Sequence, residues 1–143
     1  MSASPSTFNA ERMSRWIDVR KNLRSFRFAA EGIIALFRFE NNAKIHLLAA
    51  IAVVVAGIWL QIDRVEWALI LTQIGLVLAA EAFNTAIEKL ADVVSPEHHP
   101  LIKAVKDLSA GAVLLVVILA VVVGILIFGT KLIEMIFTKA DWL

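Results

Sequence analysis

Glu81, Asn84, Glu88 and Asp92 follow one another at intervals of three, four and four residues. On a helix that spacing puts all four on one narrow stripe. The neighbouring residues are mostly Leu, Ile, Val, Ala and Phe, so the stripe runs down an otherwise apolar helix. An ionisable side chain there costs about 2.5–3.5 kcal/mol to insert into a membrane, and by default it marks proton, ion or substrate chemistry. Glu81 lies 15 residues beyond Glu66, which at 1.5 Å per residue is roughly 22 Å into a bilayer. Glu88 lies roughly 10 Å further on, near the headgroups. Two carboxylates that far apart cannot easily bind one ion. One can meet a group buried among lipids while the other meets a solute arriving from the cytoplasm.

Other polar residues reach the level of Glu88. Glu40 ends an amphipathic segment just before the first apolar stretch, and Lys106-Asp107 opens the last one. Glu40, Glu88, Asp92 and Asp107, with Lys106, therefore converge on one rim. Hard oxygen ligands beside a lysine suit Mg²⁺ carrying a polyphosphate, because Mg²⁺ takes few carboxylates and keeps phosphate and water. Phosphoryl transfer needs little beyond such positioning and charge neutralisation. The plainer reading of Glu40, Asp92 and Asp107, each taken singly, is a charge that snorkels or pairs at a helix end. His46 reads as an interfacial or packing residue, and His98 and His99 as loop histidines. Ser109-Ala110-Gly111-Ala112 are small residues that let a helix or ligand approach closely. No G-x-x-x-x-G-K-[ST] loop, G-x-G-x-x-G run or protein-kinase signature occurs, so a bound nucleotide would not be held by the usual soluble folds.

The elements that must carry these groups are membrane helices. The chain has 143 residues, 59% of them hydrophobic, against roughly 45–50% in an ordinary soluble domain. Its mean hydropathy is +0.78. Residues 108–128 form a stretch of 21 without an ionisable side chain, enough for one crossing of a hydrocarbon core of about 30 Å. These features exclude a soluble globular enzyme and a disordered chain. A net charge of +1 without a long basic run argues against nucleic-acid binding. With no cysteine there is no thiol nucleophile and no disulfide.

The expected fold is an all-α membrane protein, with an N-terminal amphipathic surface helix and three transmembrane helices. Residues 1–11 read as a disordered start without a signal-peptide core. Residues 12–43 read as the interfacial helix. Trp16, Val19, Leu23, Phe26, Ala30, Ile33 and Phe37 share one face, and Arg12, Arg15, Arg20, Lys21, Arg24 and Arg27 make its first half basic, as suits an anionic membrane surface. Spans are expected at about 44–62, 67–90 and 107–129, within a domain at 44–130. Residues 131–143 read as an amphipathic tail. Eleven Lys/Arg fall on the side of the N-terminus and second loop, against three on the other. The positive-inside rule then puts the N-terminus in the cytoplasm and the C-terminus outside.

Glu81-Ala-Phe-Asn84-Thr85-Ala86-Ile87-Glu88, with Asp92 following, and Lys106-Asp107 with Ala110-Gly111-Ala112 resemble the prokaryotic diacylglycerol kinase/undecaprenol kinase family. The similarity runs from about Arg20 to Phe128 and includes Ser25-Phe26-Arg27, Glu31-Gly32 and Glu40-Asn41-Asn42. It implies a small lipid kinase of the bacterial cytoplasmic (inner) membrane, a homotrimer with active sites between neighbouring subunits, using Mg²⁺ and ATP. Carried over by position, Glu81 would be the general base on the lipid hydroxyl, with Asn84 positioning the reacting groups. Glu40 and Glu88 would hold metal ions. Lys106, Asp107, Asp92, Glu97 and His99 would contact the nucleotide, and Glu81 and Ala110 the lipid acceptor. A serine found in some diacylglycerol kinases is Ala29 here, so one phosphate contact is missing. The Ser-Phe-Arg, Glu-Gly-Ile and Ala-Gly-Ala-Val variants are closer to the undecaprenol kinase branch.

The resemblance makes ATP and a membrane lipid alcohol the expected partners, with undecaprenol favoured over diacylglycerol. The rival from another class is a small oligomeric transporter or channel with Glu81 as its ion or proton site; the rim cluster disfavours it. A structural subunit would leave the Glu81 stripe without purpose. One physical argument also favours an oligomer: three helices alone can hardly enclose the polar stripe, so neighbours are expected around it.

Overall fold

Each long apolar segment of the sequence becomes one helix, and short polar breaks set the helix ends. The computed structural model describes residues 19–97 and 99–140, with side chains over 21–97 and 99–137. These residues form four helices: α1 (Val19–Phe39), α2 (Asn41–Trp59), α3 (Arg64–Val94) and α4 (Pro100–Ala140). No strand occurs among the described residues. The last three are long and apolar enough to cross a membrane. The start at 1–11, Arg12, Arg15, Trp16 and His98 lie outside the described residues, as do the last three of the tail.

Taken by itself, α1 is amphipathic. Arg27 Nε pairs with Glu31 Oε1 one turn on, at 3.2 Å. The Arg27 guanidinium also lies 5.6 Å from the ring centre of Phe28.

A single residue separates α1 from α2. Glu40 is extended (φ −98°, ψ 121°) and its side chain makes no capping bond to α2, which leaves the carboxylate available for another partner. The turn after α2 is a tight reversal. Gln61 N–H donates to Ile58 O at 3.3 Å and Ile62 N–H to Gly57 O at 3.2 Å, around Gln61 at φ 51°. That is the Schellman pattern, with glutamine where glycine is usual. Gly57 is needed there, because a Cβ would meet Ile62 Cδ1 and Trp67 Cη2 at 3.0 Å.

Asp63 then starts α3. Its Oδ1 accepts from Val65 N–H at 2.7 Å and Glu66 N–H at 2.9 Å, while Glu66 Oε2 accepts from Asp63 N–H at 2.7 Å. This is a complete capping box.

Helix α3 packs against both α2 and α4. Next to the α2–α3 turn the packing is apolar, built on Ile62, Ile70 and Ile127 with Trp67, Val123 and Phe128 against them. Toward the α3–α4 loop the buried residues become polar: Glu81, Asn84, Thr85 and Ser109. Helix α4 runs on without a break through Gly129-Thr130 into residues 131–140. Its Lys131 lies 3.6 Å from Glu66 at the start of α3, so the two helices are antiparallel.

Candidate functional site

The stripe of α3 faces inward at its deep end. Glu81 is 3% and Asn84 5% exposed, because successive turns of α3 carry them against the neighbouring helices while Ala82 and Phe83 point away. The electrostatic neighbours of Glu81 are His46 on α2, Glu88 two turns further along the same face of α3, and Glu40. One chain thus encloses the buried part of the stripe. Glu88 is half-buried and Asp92 exposed, so within one chain the stripe is covered at its deep end and open toward the rim.

Asn84, the next residue of the stripe, is bonded to the rim and to α4. Its Nδ2 donates to Glu88 Oε1 at 3.2 Å, and its Oδ1 accepts from Ser109 Oγ on α4 at 2.7 Å. Glu88 itself is half-buried. Glu40 reaches the same rim from the α1–α2 break, where Lys89 Nζ donates to its Oε1 at 2.6 Å.

The rest of the polar residues gather at the α3–α4 loop. Asp92, Glu97, His99, Lys106 and Asp107 line one cavity of about 280 Å³, together with Lys103. Lys106 Nζ donates to Asp92 Oδ1 at 2.9 Å, and Lys103 Nζ to Asp107 Oδ2 at 2.5 Å. Glu40, Asp92 and Asp107 are each paired with a different lysine, so these three do not form one carboxylate cluster. His99 Nδ1 accepts from Leu101 N–H at 3.3 Å and caps α4. Ala110 is exposed, about 100° round α4 from Ser109.

A second cavity, of about 540 Å³, opens between the three long helices. Its lining is apolar except for His46 and Gln73, and Gln73 Oε1 is buried there without a hydrogen-bond partner. His46 therefore stands where the apolar cavity meets Glu81. Three contributors went unread in the sequence. Ser109 registered only as a small residue and Lys89 only as a topological charge. Gln73 gave no signal beyond lying eight residues before Glu81, on the same face.

A buried carboxylate whose electrostatic neighbours include a histidine of an apolar cavity and two carboxylates of a charged rim is an arrangement that can bring a lipid-borne group to a phosphate. The comparisons agree. Residues 27–128 match the prokaryotic diacylglycerol kinase family. An undecaprenol kinase of Bacillus subtilis is 38% identical over 115 residues, covering 80% of this chain and 94% of that protein. A diacylglycerol kinase of Synechocystis sp. is 35% identical over 123 residues, covering 85% of this chain and 70% of that protein. A diacylglycerol kinase of Escherichia coli K12 is 34% identical over 88 residues, covering 62% and 67% respectively. The chain belongs to the prokaryotic diacylglycerol kinase family and is a membrane lipid kinase that takes its phosphoryl group from a nucleotide.

Proposed function

We propose that this kinase transfers the γ-phosphoryl group of ATP to a polyprenol, undecaprenol in preference to diacylglycerol, in one in-line step at the cytoplasmic interface. The observation that carries the reading is Glu81, a buried carboxylate whose electrostatic neighbours are His46 of the apolar cavity and Glu88 and Glu40 of the rim. Glu81 takes the proton of the lipid hydroxyl. The lipid oxygen bonds to the γ-phosphorus as the bond to the β-phosphate oxygen breaks, and ADP leaves. Asn84 positions the reacting groups. Lys106 offsets charge on the phosphates, with Asp92, Asp107, Glu97 and His99 around the nucleotide. Ala110 lies on the acceptor side.

The donor set fits Mg²⁺. Among the described residues no three acidic or histidine side chains converge on one point. Mg²⁺ does not need them, since it is usually bound through one or two carboxylates plus substrate phosphates and water. Glu40 and Glu88 are the carboxylates that would hold it. When bound, it supplies positive charge against the β- and γ-phosphate oxygens.

The preference for undecaprenol is supported by the Bacillus subtilis relative, which is matched over 94% of its length, and by the Ser-Phe-Arg, Glu-Gly-Ile and Ala-Gly-Ala-Val variants. A homotrimer in the cytoplasmic (inner) membrane follows from the resemblance. The charge asymmetry of the loops supports an N-terminus inside and a C-terminus outside. The kinase domain is taken as 44–130.

The test is phosphate transfer from labelled ATP by purified protein in detergent, with undecaprenol and diacylglycerol offered separately, with and without Mg²⁺. Label in undecaprenol exceeding that in diacylglycerol, and only with Mg²⁺, is the expected result. Greater label in diacylglycerol reassigns the acceptor. No label in either, from folded protein, contradicts the reading and turns attention to Glu81 as an ion site.

A further inference from the structure

Asn84 is held from two helices, and one of the two partners has no role in the mechanism above. Its Nδ2 donates to Glu88 Oε1 at 3.2 Å within α3, and its Oδ1 accepts from Ser109 Oγ of α4 at 2.7 Å. An ionised carboxylate only accepts, so the amide nitrogen must face Glu88 and the amide oxygen must face α4. An oxygen facing α4 needs a donor there. Ser109 is that donor, and at 9% exposure for Ser109 and 5% for Asn84 bulk water has little access to replace it.

Ser109 Oγ also lies 2.9 Å from the carbonyl oxygen of Lys106, one turn earlier on α4. A hydroxyl has one proton. The shorter contact is to Asn84, across helices, while the other stays within α4. The serine thus ties the turn that carries Lys106 to the amide that holds Glu88.

We infer that Ser109 is a positioning residue for phosphoryl transfer, fixing the Asn84 amide so that its nitrogen stays on Glu88 and holding that pair in register with Lys106. The inference rests on the roles proposed above for Asn84, Glu88 and Lys106. Without the hydroxyl, Asn84 Oδ1 is a buried acceptor lacking its donor, a state proteins avoid. The amide then turns toward other partners, and a turn that points its oxygen at Glu88 sets two acceptors against each other. Glu88 loses its fixed donor. Removing a partner one step from a metal ligand, as Asn84 is, typically changes metal affinity or activity by about 10–100-fold, and Ser109 acts through Asn84, so the lower end of that range is expected.

The experiment compares wild type, Ser109→Ala and Ser109→Thr as full chains. It measures kcat, the half-saturating Mg²⁺ concentration, KM for the lipid and the melting temperature. Ser109→Ala is expected to lower kcat, raise the Mg²⁺ requirement, or both, by about tenfold, with KM for the lipid unchanged. Ser109→Thr keeps a hydroxyl and is expected to recover most of the loss. Wild-type kcat and Mg²⁺ dependence in Ser109→Ala overturn the inference and leave the kinase reading intact. Equal impairment of both variants in step with a lower melting temperature also overturns it, in favour of packing. A wild-type protein that labels no lipid alcohol removes the kinase reading and this inference together.

Discussion

Lys89 Nζ lies 2.6 Å from Glu40 Oε1, joining the α1–α2 break to the rim of α3 across 49 residues of chain. The lysine side chain is 65% exposed and the glutamate 25%, so the pair is in contact with water and is weak. It places a protein cation on a carboxylate assigned to Mg²⁺. Binding of the metal must share Glu40 with Lys89 or displace it.

Lys89→Met is therefore expected to lower the half-saturating Mg²⁺ concentration for phosphoryl transfer. An exposed pair of this kind is worth about 0.2–1 kcal/mol, which corresponds to at most about a fivefold change. A Mg²⁺ titration of turnover measures it. A raised Mg²⁺ requirement would mean instead that Lys89 holds Glu40 in its working position.

Gln61 occupies the left-handed position of the α2–α3 turn. A residue with a Cβ pays roughly 1–2 kcal/mol in that region, while glycine costs about 0.5–1 kcal/mol through the unfolded chain. Gln61→Gly is expected to stabilise the fold by up to about 1 kcal/mol, with Gln61→Ala giving no such gain. Unfolding midpoints in detergent distinguish the two.

Acid should loosen the start of α3. The Glu66 N–H holds the Asp63 carboxyl below the usual carboxylate range, opposed by burial and helped by the Val65 N–H and the charge of Lys131. A lowered pKa means the folded chain favours the ionised form. Its stabilisation is complete above the ordinary carboxyl pKa and disappears as pH falls through the lowered one. Asp63→Ala should reduce stability at neutral pH and make it less sensitive to pH across that acidic window. Melting curves of both proteins over the window check this, and parallel pH profiles would contradict it.

The sequence made the polar stripe legible because Glu81, Asn84 and Glu88 sit on one helix, where spacing alone fixes their common face. The three apolar helices were legible for the same reason of local pattern. Contacts between helices were not. Lys89 adjoins Glu88, about 100° round α3, and nothing in its neighbours points to Glu40. Ser109 reads as a small packing residue until α4 is laid against Asn84. The left-handed turn at Gln61 was hidden because glutamine is not the residue that conformation favours. Burial along the stripe was not legible either, since helix count does not tell how deeply α3 sits between α2 and α4.

The central claim is that Glu81 takes the proton of the lipid hydroxyl, and the direct measurement is lipid labelling from ATP by Glu81→Gln beside wild type. Glutamine keeps the shape and cannot accept the proton. Turnover is expected to fall by about 10²–10⁴-fold, the range for loss of a general base, with helical content, assembly size and MgATP-dependent thermal stabilisation retained. Turnover close to wild type in the folded variant would contradict the account.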